Sequence, residues 1–64
     1  MYPKLIGKRN EKGYTQQDMA NFLGISKGNY HLKETGKNDF SLFEVKKILE
    51  VLEESFDNIF LLWL

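Results

Sequence analysis

The chain has no cysteine, one proline and one histidine in 64 residues. Without cysteine there is no disulfide to staple a small fold and no thiolate to hold a metal. His31 with Glu34 is at most half of a zinc site, so no metal and no other cofactor is expected. Net charge is missing too, since nine basic side chains balance nine acidic ones. Long apolar runs are absent. "IFLLWL" is far shorter than a bilayer span, and "MYPKLIGKRN" has no apolar signal core, so neither a membrane nor export is expected. No two carboxylates sit in an acid–base arrangement, and no glycine-rich loop follows a strand. An enzyme with a small-molecule substrate is therefore not expected. With no repeat, linker or low-complexity tract, residues 1–64 read as a single domain, small enough to depend on efficient packing.

What is present is helix punctuation. In "YTQQDM", Thr15 and Asp18 have the spacing of a capping box, with Tyr14 placed to staple onto Met19. "FSLFEV" repeats the device with Ser41 and Glu44, and with Phe40 stapling onto Val45. Ser26 is a further N-cap, and Gly13, Gly24 and Gly36 mark helix stops. The pattern predicts helices over 3–12, 16–23, 27–35, 42–52 and 56–62 and no sheet, an all-α, compact five-helix bundle. Pro3 is tolerated in a first turn. Apolar residues at helical spacing predict a core of Leu5, Met19, Ala20, Leu23, Ile25, Tyr30, Leu42, Val45, Ile48, Leu49, Leu52, Ile59 and Phe60. The third helix stands apart. Only Tyr30 is strongly apolar on its inner side, and Lys33 is expected to cover the core with its stem while its ammonium reaches water. A helix that gains so little from burial is expected to serve through its outer face.

The balanced total hides a dipole along the chain. Residues 1–37 carry seven basic and three acidic groups, whereas residues 38–64 carry two basic and six acidic ones. A polyanion would be drawn to the first part and repelled by the second. Two solvated sets of surface charge would give the same count.

The stretch "TQQDMANFLGISKGNY" followed by "KETGK" resembles the phage-repressor-like helix-turn-helix family, the lambda-repressor-like or Xre-type domain. The family pattern runs Thr-Gln, Leu-Ala, Leu-Gly-Val-Ser, a basic residue and Glu-x-Gly-Lys. Here it is met by Thr15 and Gln16, Met19 and Ala20, Leu23 to Ser26, Lys27, and Glu34, Gly36 and Lys37. The resemblance continues through "FSLFEVKKILEVLEESFDNIF" and covers nearly the whole chain. It implies a lambda-repressor-like fold whose second and third helices form the helix-turn-helix. It also implies a sequence-specific regulator of transcription that binds double-stranded DNA, a small phage or prophage repressor or Cro-like protein of the bacterial cytoplasm. The helix over 27–35 would lie in the major groove while the helix before it crosses the backbone.

Carried onto this sequence, the DNA-facing residues are Thr15, Gln16, Gln17, Ser26, Lys27, Gly28, Asn29, His31, Leu32, Lys37 and Asn38. Gln16 opens the second helix, where free N–H groups favour a phosphate, or it is simply an exposed first-turn residue. Lys27 suits guanine O6 and N7 or a phosphate, and Asn29 suits adenine, a phosphate or solvent. Lys37 and Asn38 follow the reading helix as backbone or base contacts, or as solvated loop. His31 meets a phosphate or solvent, and a histidine's change of charge would make binding sensitive to pH. Gly28 costs at most about 1 kcal/mol of helix propensity and lets the backbone approach the bases. Leu32 is a contact to a thymine methyl, an exposed leucine or part of a protein interface. Arg9 and Glu34 match a buried ion pair of the family that would hold the reading helix on the first helix, or they are two separate surface charges. A chain this small implies a homodimer on a two-fold site. Leu61, Leu62, Trp63 and Leu64 supply the dimer contact or pack back on their own core. A second reading keeps the fold and changes the partner: an antirepressor-like module that grips a partner repressor protein, suggested by the neutral total, Gly28 and Leu32.

Overall fold

The computed structural model describes residues 1–60, to which every structural statement here refers. Among them are five helices and no strand: α1 (Pro3–Glu11), α2 (Gln16–Leu23), α3 (Lys27–Glu34), α4 (Leu42–Leu52) and α5 (Phe56–Ile59). α2 packs against both α3 and α4, and α1 packs on α5. No helix among the described residues is long and apolar enough to cross a membrane.

Local chemistry starts and stops these helices. Both capping boxes form. Thr15 Oγ1 accepts from the Asp18 N–H at 3.0 Å while Asp18 accepts from the Thr15 N–H at 2.9 Å. Ser41 and Glu44 do the same at 3.1 and 2.8 Å. Ser26 caps α3 by accepting from the Asn29 N–H at 3.1 Å. Ser55, which the sequence reading passed over, caps α5. α1 and α3 each stop one residue short of the expected end, because the chain already turns at Lys12 and Thr35 into Gly13 and Gly36. The stop of α4 was not anticipated. Glu53 holds a left-handed conformation (φ 55°), a place usually taken by glycine. It is secured by an ion pair to Lys12 at 2.8 Å and by the Glu54 N–H, which donates to the Leu49 carbonyl at 3.1 Å.

The core comprises Leu5, Met19, Ala20, Leu23, Tyr30, Ile48, Leu52, Ile59 and Phe60, with Ile25, Val45 and Leu49 packed at its edge. Leu42 is a correction. Periodicity assigned it to the core, yet it is 77% exposed. It is the first residue of α4. Phe56 is also exposed, again at a first helical position. Tyr14 places its ring edge-on to Phe22 at 5.2 Å. Phe40 meets Tyr2, Tyr30 and Phe60 with ring centroids 5.6, 6.1 and 6.0 Å away, joining the start of the chain, α3 and the residue that follows α5 in one aromatic cluster. The residues expected in the last part of the fifth helix and in the dimer contact, Leu61, Leu62, Trp63 and Leu64, lie outside the described residues.

Lys33 also departs from expectation. Its ammonium does not reach for water but donates to both oxygens of Glu44, at 2.6 and 2.8 Å, and ties α3 to the start of α4. Burial alone would raise the Glu44 carboxyl, but the Lys33 ammonium and the Ser41 N–H outweigh it and hold the group below the usual glutamate range. A lowered folded value means the contribution to stability is complete above the unfolded value, about pH 4.3, and is lost as pH falls through the folded one. Urea midpoints measured over that acid range should fall less steeply for Glu44→Gln than for the unmodified protein.

Two glycines give opposite expectations. Gly36 has φ +86°, and a Cβ there would lie 2.9 Å from the Met1 nitrogen, so Gly36→Ala should cost more than about 1 kcal/mol. Gly7 sits inside α1 with nothing within 4 Å of an added Cβ, and Gly7→Ala should add about 0.5–1 kcal/mol. Thermal unfolding of both variants checks the pair.

Candidate nucleic-acid interface

The candidate surface is built outward from one buried carboxylate. Glu34, at the end of α3, is 2% exposed. It accepts from Arg9 Nε at 2.9 Å and Arg9 Nη2 at 3.3 Å, a two-pronged pairing that ties α3 to α1. The Tyr30 hydroxyl donates to it at 2.7 Å, and Gln16 Nε2, from the first turn of α2, donates at 2.9 Å. Arg9 spends its remaining reach on the Tyr14 carbonyl, 2.9 Å from Nη1, just before α2 begins. Burial first, and then the adjoining carboxylate, push the Tyr30 phenol far above its ordinary range, so it remains a donor. No buried side-chain nitrogen or oxygen among the described residues lacks a partner. The expected Arg9–Glu34 pair is thus present, buried and shared with two further donors. The sequence reading missed both. Tyr30 and Glu34 at i and i+4 could have been paired from spacing, but the Gln16 contact crosses between helices and leaves no local signal.

On this base the turn between α2 and α3 is tight. Gly24 takes φ 71° and the Ile25 N–H donates back to the Ala20 carbonyl at 3.0 Å. After α3, the Leu32 carbonyl accepts from the N–H groups of both Lys37 and Asn38, at 2.9 and 3.1 Å, which folds that loop back beside the helix.

The expected DNA-facing residues fall into two groups. Thr15, Ser26, Gln17 and Gln16 are committed within the chain: two as caps, Gln17 to Asn21 at 2.9 Å, and Gln16 to Glu34 and His31. Lys27, Asn29, Lys37 and Asn38 are exposed, and among the described residues their side chains have no partner. Gly28 is exposed with open space around an added Cβ. His31 is exposed beside Gln16, while Leu32 is half-buried rather than fully presented. The backbone N–H groups of Gln16 and Gln17 have no partner among the described residues, as at any helix start. They border an open depression of about 560 Å³ lined by Arg9, Tyr14, Thr15, Gln16, Gln17 and Lys27. Donor N–H groups, a helix dipole and a lysine at one concavity suit an anion.

The profile of the helix-turn-helix family matches residues 6–59, nearly the whole described chain. The chain belongs to the helix-turn-helix family. α2 and α3 are therefore the two helices of its motif, with the Gly24 turn between them. This helix-turn-helix protein is similar to the SPbeta prophage-derived uncharacterized HTH-type transcriptional regulator YonR of Bacillus subtilis (strain 168), with 44% identity over 49 residues. The alignment covers 77% of this chain and 45% of that protein, so the chain spans less than half of its relative's length. No solved structure matches it.

Removing Glu34 leaves the Arg9 charge buried without a partner. Glu34→Ala should cost about 3–5 kcal/mol in urea unfolding. The Arg9→Ala, Glu34→Ala double variant should cost less than the two single changes together, by about 1–3 kcal/mol.

Proposed function

We propose that this protein is a sequence-specific regulator of transcription that binds double-stranded DNA, of the small repressor or Cro type, acting as a homodimer. α3 would enter the major groove, and the start of α2 would rest on the phosphate backbone. The observation that carries this reading is the distribution of unpaired charge. Of the basic groups in residues 1–37, Lys8, Arg9, Lys12 and Lys33 are neutralised by Glu54, Glu34, Glu53 and Glu44. Lys27 and Lys37, at the two ends of α3, and Lys4, on α1, have no acidic partner among the described residues. A chain with no net charge thus leaves local positive charge at both ends of the helix that its family places against DNA. The regulator name carried by its relative points the same way.

Lys27 and Asn29 are the groups suited to base edges, and Lys37, Asn38 and the first turn of α2 to phosphates. Leu32, half-buried, keeps only part of its side chain for a thymine methyl. The antirepressor-like reading has one specific observation in its favour: Leu42 and Phe43 are 77% and 69% exposed side by side at the start of α4. They lie away from Lys27 in sequence and give a protein partner an apolar place to grip.

Selection from random duplexes, sequenced at low and moderate salt, decides between the two. A DNA-binding regulator should enrich a two-fold site with half-sites about one helical turn apart, and its affinity should fall steeply with salt. Lys27→Ala should cost about 1–3 kcal/mol of binding and relax preference at one base position. Folded protein that enriches nothing at either salt would move the assignment to the protein-binding reading.

A further inference from the structure

The side-chain amide of Gln16 is held by two acceptors on α3. Its nitrogen donates to Glu34 Oε1 at 2.9 Å and lies 3.3 Å from His31 Nδ1. The Glu34 contact settles which way the amide points, because the reverse orientation would set its oxygen against a buried carboxylate. An amide nitrogen has only hydrogens to offer, so Nδ1 must accept. His31 is then neutral in this arrangement, with its proton on Nε2.

Protonation puts a hydrogen on Nδ1, facing the amide NH2. The amide cannot turn over to accept it, because Glu34 is fixed from the other side by Arg9 and Tyr30. The imidazolium has to leave Gln16, and since His31 is exposed the way open to it is outward. The charged groups facing this place are few. On α3, Lys27 stands one turn before His31 and opposes its protonation, while Glu34 follows one turn later with its charge balanced by Arg9 of α1. On α2, Asp18 is tied to the Thr15 N–H. A phosphate backbone passing over α3 would supply the negative charge that this neighbourhood lacks.

We infer that Gln16 and His31 form a proton-linked switch on the DNA-facing surface: neutral His31 is latched to Gln16 in the free protein, and a protonated His31 is drawn out to the phosphates when DNA binds. The inference rests on the DNA-binding reading above. Its sign follows from linkage. The bound form holds one more proton, so affinity rises as pH falls, by at most about tenfold per pH unit. Release of the latch also frees the Gln16 amide from one of its two acceptors.

The test uses a labelled mixed-sequence duplex of about 20 base pairs at low, constant ionic strength, followed by fluorescence anisotropy between about pH 8 and pH 6. A mixed sequence suffices because the contact is to the backbone. The unmodified protein should gain roughly five- to tenfold in affinity across that range, and His31→Gln should give a flat profile. His31 is the only histidine, and the variant keeps the terminal amine, so the difference between the two profiles isolates the imidazole. Calorimetry in two buffers of different ionisation enthalpy should show, averaged over that range, about a third to a half of a proton taken up by the unmodified protein and none by the variant. Nitrogen-15 spectra of the free protein should show the Nε2–H tautomer. Firm binding with the same pH profile in both proteins overturns the switch and leaves the DNA-binding reading standing. No binding at any pH overturns that reading and the switch with it.

Discussion

The Glu34 carboxylate sits where α1, α2 and α3 meet, and it accepts hydrogen bonds from one side chain on each. α3 buries only Tyr30 and Glu34, so apolar packing by itself gives the helix little hold. The polar cluster takes over that task in a form that packing could not copy. Apolar burial is nondirectional, whereas a two-pronged guanidinium–carboxylate pair and two further hydrogen bonds fix distance and angle together. A buried ion pair adds little stability over a well-packed apolar substitute. Here it sets how α3 is rotated and how far it stands from α2, and so which side chains the motif presents.

The same constraint explains how a chain without net charge keeps a usable charged surface. Glu34, Glu44, Glu53 and Glu54 are each matched with a particular arginine or lysine. Glu44 serves twice, completing the cap of α4 and pairing with Lys33 of α3. Glu53 and Glu54, at the turn after α4, meet Lys12, just after α1, and Lys8 of α1. The exposed pair between Lys12 and Glu53 contributes little energy by itself. The consequence of these pairs is spatial: of the three lysines they leave over in residues 1–37, two lie at the ends of α3 and one, Lys4, on α1. Net charge is a poor guide to function when pairing is this selective.

Much of the architecture could be read before any coordinates. Thr15 with Asp18, Ser41 with Glu44, and Ser26 marked helix starts correctly because a cap is a contact across three residues. The apolar stripes were equally plain, and nine of the thirteen residues assigned to the core are buried in the described structure, which is enough to define the bundle. The failures lie at element ends. Leu42 keeps the right period but occupies the first position of α4, where it is exposed. Glu53 ends α4 in a left-handed conformation that no residue type announced.

By itself, then, the sequence determined the helices, their order, the turn between α2 and α3 and the family to which the chain belongs, because each depends on contacts within a few residues or on a linear pattern. Only the tertiary structure decided which charges would cancel, that Gln16 would face inward to Glu34 and His31, and that Lys33 would turn to Glu44 rather than to water. Those partners are 11 to 18 residues apart in the chain. Their meeting depends on how the helices cross, and the crossing is set jointly by the buried core and the Glu34 cluster, neither of which exists until the chain has folded.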